Sequence, residues 1–348
     1  MTEFSLVLAT ARRACGLTQE GLAAAADVTQ EAVSRYENGQ REPDAEVLSR
    51  LACVLGVTTE LFNAGGRVRG GMAVDAHMRR RQTAKPTVWR QLEARLNMYR
   101  MHARMVYEEV SVRAEQTLPR LDPVEISADA AARIVRMQWR MPVGPVQWLV
   151  RWMESAACIV IEEDFGTARV DGLSQWIDDY PVVLINSRAP TDRKRLTLAH
   201  ELGHLVLHSE DVTADVETEA NAFAAEFLMP AEVIRPQLRT LTVGRLHDLK
   251  REWGVSMQAL IERAHGLKLI TAAQRTNLYK SLSARGWRTS EPVSEELSAE
   301  TPSLTQSIGS ALLAKGYSLA DIASLVGFSE SVKHHPFLPS DGRRLQLV

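Results

Sequence analysis

One stretch constrains this chain more than any other: Thr197-Leu198-Ala199-His200-Glu201-Leu202-Gly203-His204-Leu205-Val206-Leu207-His208. Apolar residues fill the positions around the charged ones, which predicts a buried helix. Residues four apart lie one turn apart on the same helix face. His200 and His204 can therefore close on one metal ion, with Zn–N near about 2.0–2.1 Å. Glu201 projects beside them, placed to take a proton from a water whose pKa zinc lowers to about 7. Buried His and Glu side chains need partners, and a metal is one.

A third ligand is expected in Glu217-Thr218-Glu219-Ala220-Asn221-Ala222-Phe223-Ala224-Ala225-Glu226-Phe227-Leu228-Met229-Pro230, a helix stopped by its proline. Glu217, Ala220, Asn221 and Ala224 share a face, and the small alanines let two helices approach. Glu217 completes a His₂Glu set and leaves a fourth position for water. Asn221, one turn on, is placed to hydrogen-bond a ligand. Glu219 is the rival ligand. It projects about 200° round the helix from Glu217 and ranks second; the alternative is that both glutamates are merely solvated. His208 lies two turns beyond His200, about 12 Å along the axis. That is too far for the same ion, which leaves it a role behind the ligands, toward substrate, or at the helix C-terminus.

The run Arg195 to His208, followed by Glu217-x-x-Ala220-Asn221-x-Phe223-Ala224 and Leu228-Met229-Pro230, resembles the ImmA/IrrE family of zinc metallo-endopeptidases over roughly residues 122–270. The resemblance implies that His200, His204 and Glu217 hold zinc and that Glu201 is the catalytic acid/base. It also implies a protein substrate, a DNA-binding repressor cleaved at one bond.

At 348 residues the chain is long enough for two or more domains. With 45% hydrophobic and 24% charged residues and a net charge of −2, it has the composition of a soluble globular protein with no global polyion character. Three cysteines, Cys15, Cys53 and Cys158, are odd in number and far apart. They predict neither a disulfide framework nor a cysteine metal site, and they suit a reducing cytosol. The start, Met1-Thr2-Glu3-Phe4, lacks the basic and apolar segments of a secretion signal. No apolar run approaches about 18 residues. A cytoplasmic location without membrane contact is expected, nucleoid-associated when bound to DNA.

Residues 1–63 read as short helices: Ser5 to Cys15, a second opened by Thr18, a third from Thr29 to the stop at Gly39, a fourth opened by Pro43-Asp44 and a short fifth, Thr59 to Phe62. A tight turn between the second and third makes a DNA-reading unit. The phrase Leu17-Thr18-Gln19-Glu20-x-Leu22-Ala23 … Val33-Ser34-Arg35-Tyr36-Glu37-Asn38-Gly39-x-x-x-Pro43 resembles the XRE/Cro-like helix-turn-helix family. The resemblance implies that the third helix enters the major groove. Its exposed positions are Gln30, Glu31, Ser34 and Arg35, with Gln19 at the start of the preceding helix, and Gln and Arg suit adenine and guanine edges. Asn38 and Arg41 are candidate phosphate contacts. Residues 1–66 carry five Lys and Arg against nine Asp and Glu, a net −4, so DNA affinity calls for a dimer or a basic neighbour.

Residues 67–120 supply that charge, with 12 Lys and Arg against five Asp and Glu, a net +7. Leu92, Leu96, Met98, Tyr99, Met101 and Met105 form an apolar stripe. The segment suits DNA-backbone contact or dimerisation, and equally a solvated linker helix packed on the following domain. In that domain, residues 121–270, helices are expected from Ala128 to about Met141 and up to Ser155. Strands are expected at Cys158 to Ile161, at Thr167 to Val170 with Leu173 to Ile177 as its continuation, and at Val182 to Asn186, and Thr191-Asp192 is expected to cap the His200 helix. Peptide substrate is expected to pair with one of these strands. Leu241 to Trp253 and Ser256 to His265 form a closing helical pair. Residues 286–303, rich in Ser, Thr, Glu and Pro, read as a disordered linker. Ser318 to Ser329 resembles half of another helix-turn-helix within a helical tail, with His334 and His335 on the surface.

The expected architecture is multidomain: an all-α helix-turn-helix domain (1–66), a basic helical linker (67–120), an α+β zincin-like peptidase domain with a small sheet (121–270), and a helical, partly disordered extension (271–348). The expected function is that of a DNA-binding regulator whose zinc endopeptidase cleaves a repressor or other regulatory protein, in stress response, phage-element or toxin–antitoxin control. Tyr180, His208 and Arg188 are the candidates to stabilise the developing oxyanion. The rival is a repressor or antitoxin, with a toxin as possible partner, whose zincin domain senses or binds with little proteolysis. A homodimer is expected from half-site geometry.

Overall fold

The computed structural model describes residues 3–63, 85–110, 112–177, 179–209 and 215–339. Gly65, Gly66, Gly70, Gly71, Arg67, Arg69 and Arg79 to Arg81, prominent in the expected basic linker, lie outside these residues. The chain divides into two packing units. One comprises residues 1–113, 175–182 and 303–348, the other 114–174 and 183–302.

The first unit opens with α1 (Glu3–Ala14), α2 (Gln19–Ala25), α3 (Gln30–Glu37), α4 (Ala45–Leu55) and a 3₁₀ turn, Glu60–Phe62. The cap residues set these boundaries. Thr18, Thr29 and Asp44 accept from the backbone N–H of Gly21, Ala32 and Val47 at 2.9, 3.1 and 2.9 Å. Gly56 ends α4 at φ 69°, a conformation that costs glycine little. Leu22, Val33, Tyr36 and Leu51 are buried together between the helices. The Arg12 guanidinium closes on both oxygens of Glu37, at 2.5 and 2.9 Å, and ties α1 to α3.

The long helix α5 (Pro86–Glu109) puts its apolar stripe into this same core, with Met98 and Met101 among the core residues. Its basic residues are partly used internally: Arg95 donates to the Ala14 carbonyl at 3.3 Å, and Arg100, buried, donates to Gln175 at 3.0 Å. Tyr180 stacks on Tyr107 with ring centroids 3.6 Å apart and 8° between planes. Helices α14 (Leu304–Ala314) and α15 (Leu319–Leu325) complete the unit; the intervening numbers belong to the second. Ser318 and Asp321 form a capping box at the start of α15. The segment after α15 pairs with the end of α4 through Thr58 N–H to Gly327 O (3.0 Å) and Ser329 N–H to Gly56 O (3.1 Å).

His335, expected at the surface, is instead buried, with neither ring nitrogen hydrogen-bonded, and stacks on Phe328 at 4.7 Å. Phe328 stacks in turn on His102 at 3.8 Å, and His102 Nδ1 donates to the Val326 carbonyl at 2.6 Å. The aromatic neighbours are what draw His335 inward; His334 stays exposed. Burial pulls both imidazoles down from 6.5 to about 4, opposed in His102 by its hydrogen bond. Between pH 6.5 and 4 the unfolded chain takes up protons here that the folded chain does not, so folding stability falls as pH falls through that window. Thermal unfolding at pH 5 is expected at a lower midpoint than at pH 7, and replacing both histidines by Phe is expected to flatten the dependence.

The second unit contains α6 (Ala128–Gln138), α7 (Leu149–Ser155), β1 (Ile159–Glu163), α8 (Thr191–Leu207), α9 (Val216–Leu228), α10 (Ala231–Ile234), α11 (Val243–Trp253), α12 (Met257–Gly266) and α13 (Ala272–Ala284). With β2 (Gly172–Ile177) and β3 (Tyr180–Asn186), β1 forms a three-stranded sheet ordered β1-β3-β2, so β2 is an edge. The strand expected at Thr167 to Val170 is absent. There the Asn186 amide donates to the carbonyls of Thr167 (2.6 Å) and Val170 (2.8 Å), replacing a ladder with side-chain bonds. Helix α8 begins without a side-chain cap after Pro190. Asp192, expected to cap it, is buried inside the first turn and binds Lys250 Nζ at 2.5 Å.

Residues 286–303, expected to be disordered, run as an irregular strap held by buried cations. Glu291 accepts from Lys250 Nζ (2.8 Å) and the Met257 N–H (2.7 Å). Glu300 accepts from the Val150 N–H (2.8 Å) and pairs with Arg195 of α8. Composition alone misses this because the acidic residues meet cations distant in sequence.

Candidate metal centre

Helices α8 and α9 pack at very short range. A Cβ placed on Gly203 would lie 3.1 Å from Phe223 Cβ and 3.2 Å from Ala220 Cα. Gly203 on one helix and Ala220 and Ala224 on the other thus let the backbones close. The edge strand β2 is equally near: a Cβ on Gly172 would meet Thr197 Cγ2 at 2.7 Å and Glu201 Cγ at 3.2 Å.

This packing brings His200, His204 and Glu217 together, with one donor atom from each lying within 4.8 Å of the others. The two Nε2 atoms are 2.9 Å apart. Glu217 Oε2 lies 3.6 Å from His200 Nε2, and Oε1 lies 3.6 Å from His204 Nε2. Both imidazoles are buried. Each uses its other nitrogen elsewhere: His200 Nδ1 donates to Asn221 Oδ1 at 3.0 Å, and His204 Nδ1 meets His208 Nδ1 at 3.0 Å. Two Nε2 lone pairs and a carboxylate facing one point form a donor set suited to a divalent cation, and the chemistry of these three residues fits zinc. Among the described residues, this is the one group of three such side chains close enough to share an ion.

Glu219 does not join the three. Its carboxylate accepts from His208 Nε2 at 2.7 Å. His208, buried at the end of α8, stands behind His204. Burial pushes the His208 imidazole below its ordinary range, and the hydrogen bond and charge of Glu219 oppose that. Of the oxyanion candidates, Arg188 is exposed and paired with Asp164 at 2.6 and 3.0 Å, and Tyr180 is held in its stack on Tyr107.

Glu201 is buried, and Ser174 Oγ of β2 donates to its Oε2 at 2.8 Å. Nothing in the sequence near Ser174 singles it out; only an alternating strand register, with the strand placed against α8, could have done so. Ser174→Ala removes that bond without touching His200, His204 or Glu217, so metal content, measured by elemental analysis, is expected to hold.

On the first unit, Gln30, Glu31 and Arg35 are exposed along α3 and Ser34 is half-buried. Gln19 Nε2 donates to Glu37 at 2.8 Å and its Oε1 accepts from Gln30 at 3.0 Å, so the two glutamines are held as a pair. Arg35 pairs with Glu31 at 2.6 Å, and Asn38 reaches Ser34 at 3.5 Å. Asn38 and Arg41 are exposed past the end of α3. No described helix is long and apolar enough to cross a membrane.

Two families of known proteins match stretches of this chain. The helix-turn-helix family matches residues 8–62, and the IrrE N-terminal-like domain family matches residues 153–265. The radiation response metalloprotease IrrE of Deinococcus deserti is 39% identical over 105 aligned positions, covering 24% of this chain and 37% of that protein. The protein of the same name from Deinococcus radiodurans is 39% identical over 74 positions, covering 17% of this chain and 23% of the relative. The matched stretches thus span well under half the length of either relative. The chain joins a helix-turn-helix domain to an IrrE N-terminal-like domain.

Proposed function

We propose that this protein is a DNA-binding regulator that hydrolyses peptide bonds in another regulatory protein, using a zinc ion held by His200, His204 and Glu217. The observation that carries the reading is the convergence of two Nε2 atoms and one carboxylate from separate helices, with Glu201 beside them and outside the ligand set. A zinc ion bound there supplies Lewis-acid polarisation of the scissile carbonyl and a lowered pKa for the attacking water. Asn221 orients His200 through Nδ1, so that its Nε2 faces the ligand point. Glu201, steadied by Ser174, accepts a proton from the water and returns it to the leaving amine. Extended substrate pairs with the outer edge of β2, the edge strand whose Ser174 touches Glu201.

The helix-turn-helix supplies location. Gln30, Glu31, Ser34 and Arg35 on α3, with Gln19, face the major groove, and Asn38 and Arg41 reach phosphates. The protein substrate is a regulator bound near the same site, and the radiation response in the relatives' names is consistent with stress control of this kind.

The test incubates the full chain with the proteins encoded beside its gene, with and without a metal chelator, and identifies fragments by mass spectrometry. Cleavage at a defined bond that stops with chelator is the expected result. Retention of specific DNA without any cleavage would leave the protein a repressor or antitoxin whose second unit binds a partner.

A further inference from the structure

Glu219 and His208 lie outside the ligand set, yet they form a continuous chain into it. Glu219 Oε2 is 2.7 Å from His208 Nε2, and His208 Nδ1 is 3.0 Å from His204 Nδ1. His208 is almost wholly buried. A carboxylate only accepts, so His208 Nε2 carries the proton of that bond. In a neutral imidazole the other nitrogen then accepts. His204 Nδ1 must therefore be the donor, which leaves the lone pair of His204 Nε2 directed at His200 Nε2 and Glu217.

We propose that Glu219 and His208 are positioning residues that fix the tautomer and ring orientation of His204, so that it offers Nε2 to the metal. The inference rests on the metal-centre reading above. His200 gets the same service from one residue, Asn221, at 3.0 Å. The two ligands on α8 are thus aligned by two different devices: Asn221 of α9 alone, and Glu219 of α9 acting through His208 at the end of α8. A carboxylate behind a metal-binding His is a common support; here it acts through one further imidazole. His208 continues the spacing of four after His200 and His204, which places it against the far nitrogen of His204. Glu219 sits two residues after Glu217, which sends one carboxylate to the ligand point and the other to the support. The phrase Glu217-Thr218-Glu219 therefore divides its labour.

The experiment measures Zn²⁺ affinity of the full chain by competition with a chromophoric chelator, alongside the visible spectrum of the Co²⁺ form and the unfolding midpoint of the metal-free protein. Glu219→Gln keeps an oxygen acceptor for His208, and His208→Asn keeps an acceptor for His204; both are expected within a few-fold of wild type. Glu219→Ala and His208→Phe remove those acceptors. Each is expected to weaken Zn²⁺ about 10- to 100-fold, the usual scale for losing such support, and to alter the Co²⁺ spectrum while the metal-free midpoint stays put. Equal affinity in all four variants would overturn the relay. So would losses that simply follow the metal-free midpoint, since those mark a packing role. Failure of the metal centre itself reads differently: wild type would take up no stoichiometric Zn²⁺, or His204→Ala would leave uptake unchanged.

Discussion

Glu201→Gln is expected to abolish peptide hydrolysis while leaving metal binding intact. The substitution changes almost no volume, and its side-chain oxygen still accepts from Ser174 Oγ, as Glu201 Oε2 does at 2.8 Å. Its amide cannot take a proton from water or carry one to the departing amine. Loss of a positioned general acid/base costs about 10²- to 10⁴-fold. In the proposed mechanism the same group serves both proton transfers, so the upper part of that range is expected in kcat/KM. Metal content is expected to match wild type, because the donor atoms that converge belong to His200, His204 and Glu217, and Glu201 is not among them. The measurement pairs fragment formation with elemental analysis of the same preparation. Wild-type cleavage by this variant would remove Glu201 from the chemistry. Loss of metal together with activity would mean that the carboxylate belongs to the ligand set instead.

His200, Glu201 and His204 are legible because a spacing of four converts directly into one helix face. Glu217 and Asn221 are legible because they repeat that spacing on a second apolar helix. The direction of Glu219, away from Glu217, is legible too. Its partner is not, because that depends on where along α8 the second helix crosses. Ser174 is hidden for a similar reason: it lies 27 residues from Glu201, and only the sheet order β1-β3-β2 puts its strand against the helix.

The first unit divides in the same way. Thr18, Thr29 and Asp44 announce helix starts through short-range hydrogen bonds. The membership of α5 in the core of α1 to α4 is decided by packing of Met98 and Met101, which no local rule fixes. The order of the strap over the second unit is not legible in its composition, because a Ser-, Glu- and Pro-rich segment shows what it lacks in apolar surface, not what cations await it. Lys250, fully buried, is the cation that Glu291 and Asp192 share. The expected strand at Thr167 to Val170 failed to a single amide, Asn186, bonding two carbonyls of the loop.

Gly203→Leu is expected to be the most damaging single change to the metal centre that touches no ligand. Gly203 lies between Glu201 and His204 in sequence, on the side of α8 that meets α9. A Cβ alone would stand 3.1 Å from Phe223 Cβ and Cδ1 and 3.2 Å from Ala220 Cα, and two of these three contacts involve atoms close to the α9 backbone. Phe223 and Ala220 are both buried, so neither has solvent to move into. A leucine must therefore push the helices apart. Overpacking of this kind costs about 1–3 kcal/mol of stability, a loss the fold can survive. The metal centre is less tolerant, because ligand distances hold to within about 0.2 Å and Glu217 sits one turn from Ala220 on the displaced helix. Zn²⁺ affinity is expected to fall more than about 100-fold, beyond the scale of losing one supporting residue, with a modest drop in the metal-free unfolding midpoint. Gly203→Ala, whose lone methyl asks the neighbours to give a few tenths of an ångström, is expected to fall between wild type and Leu. Chelator competition and calorimetry on the same three proteins decide the matter. Wild-type affinity in the leucine variant would show that α8 and α9 need not approach closely for His200, His204 and Glu217 to share an ion.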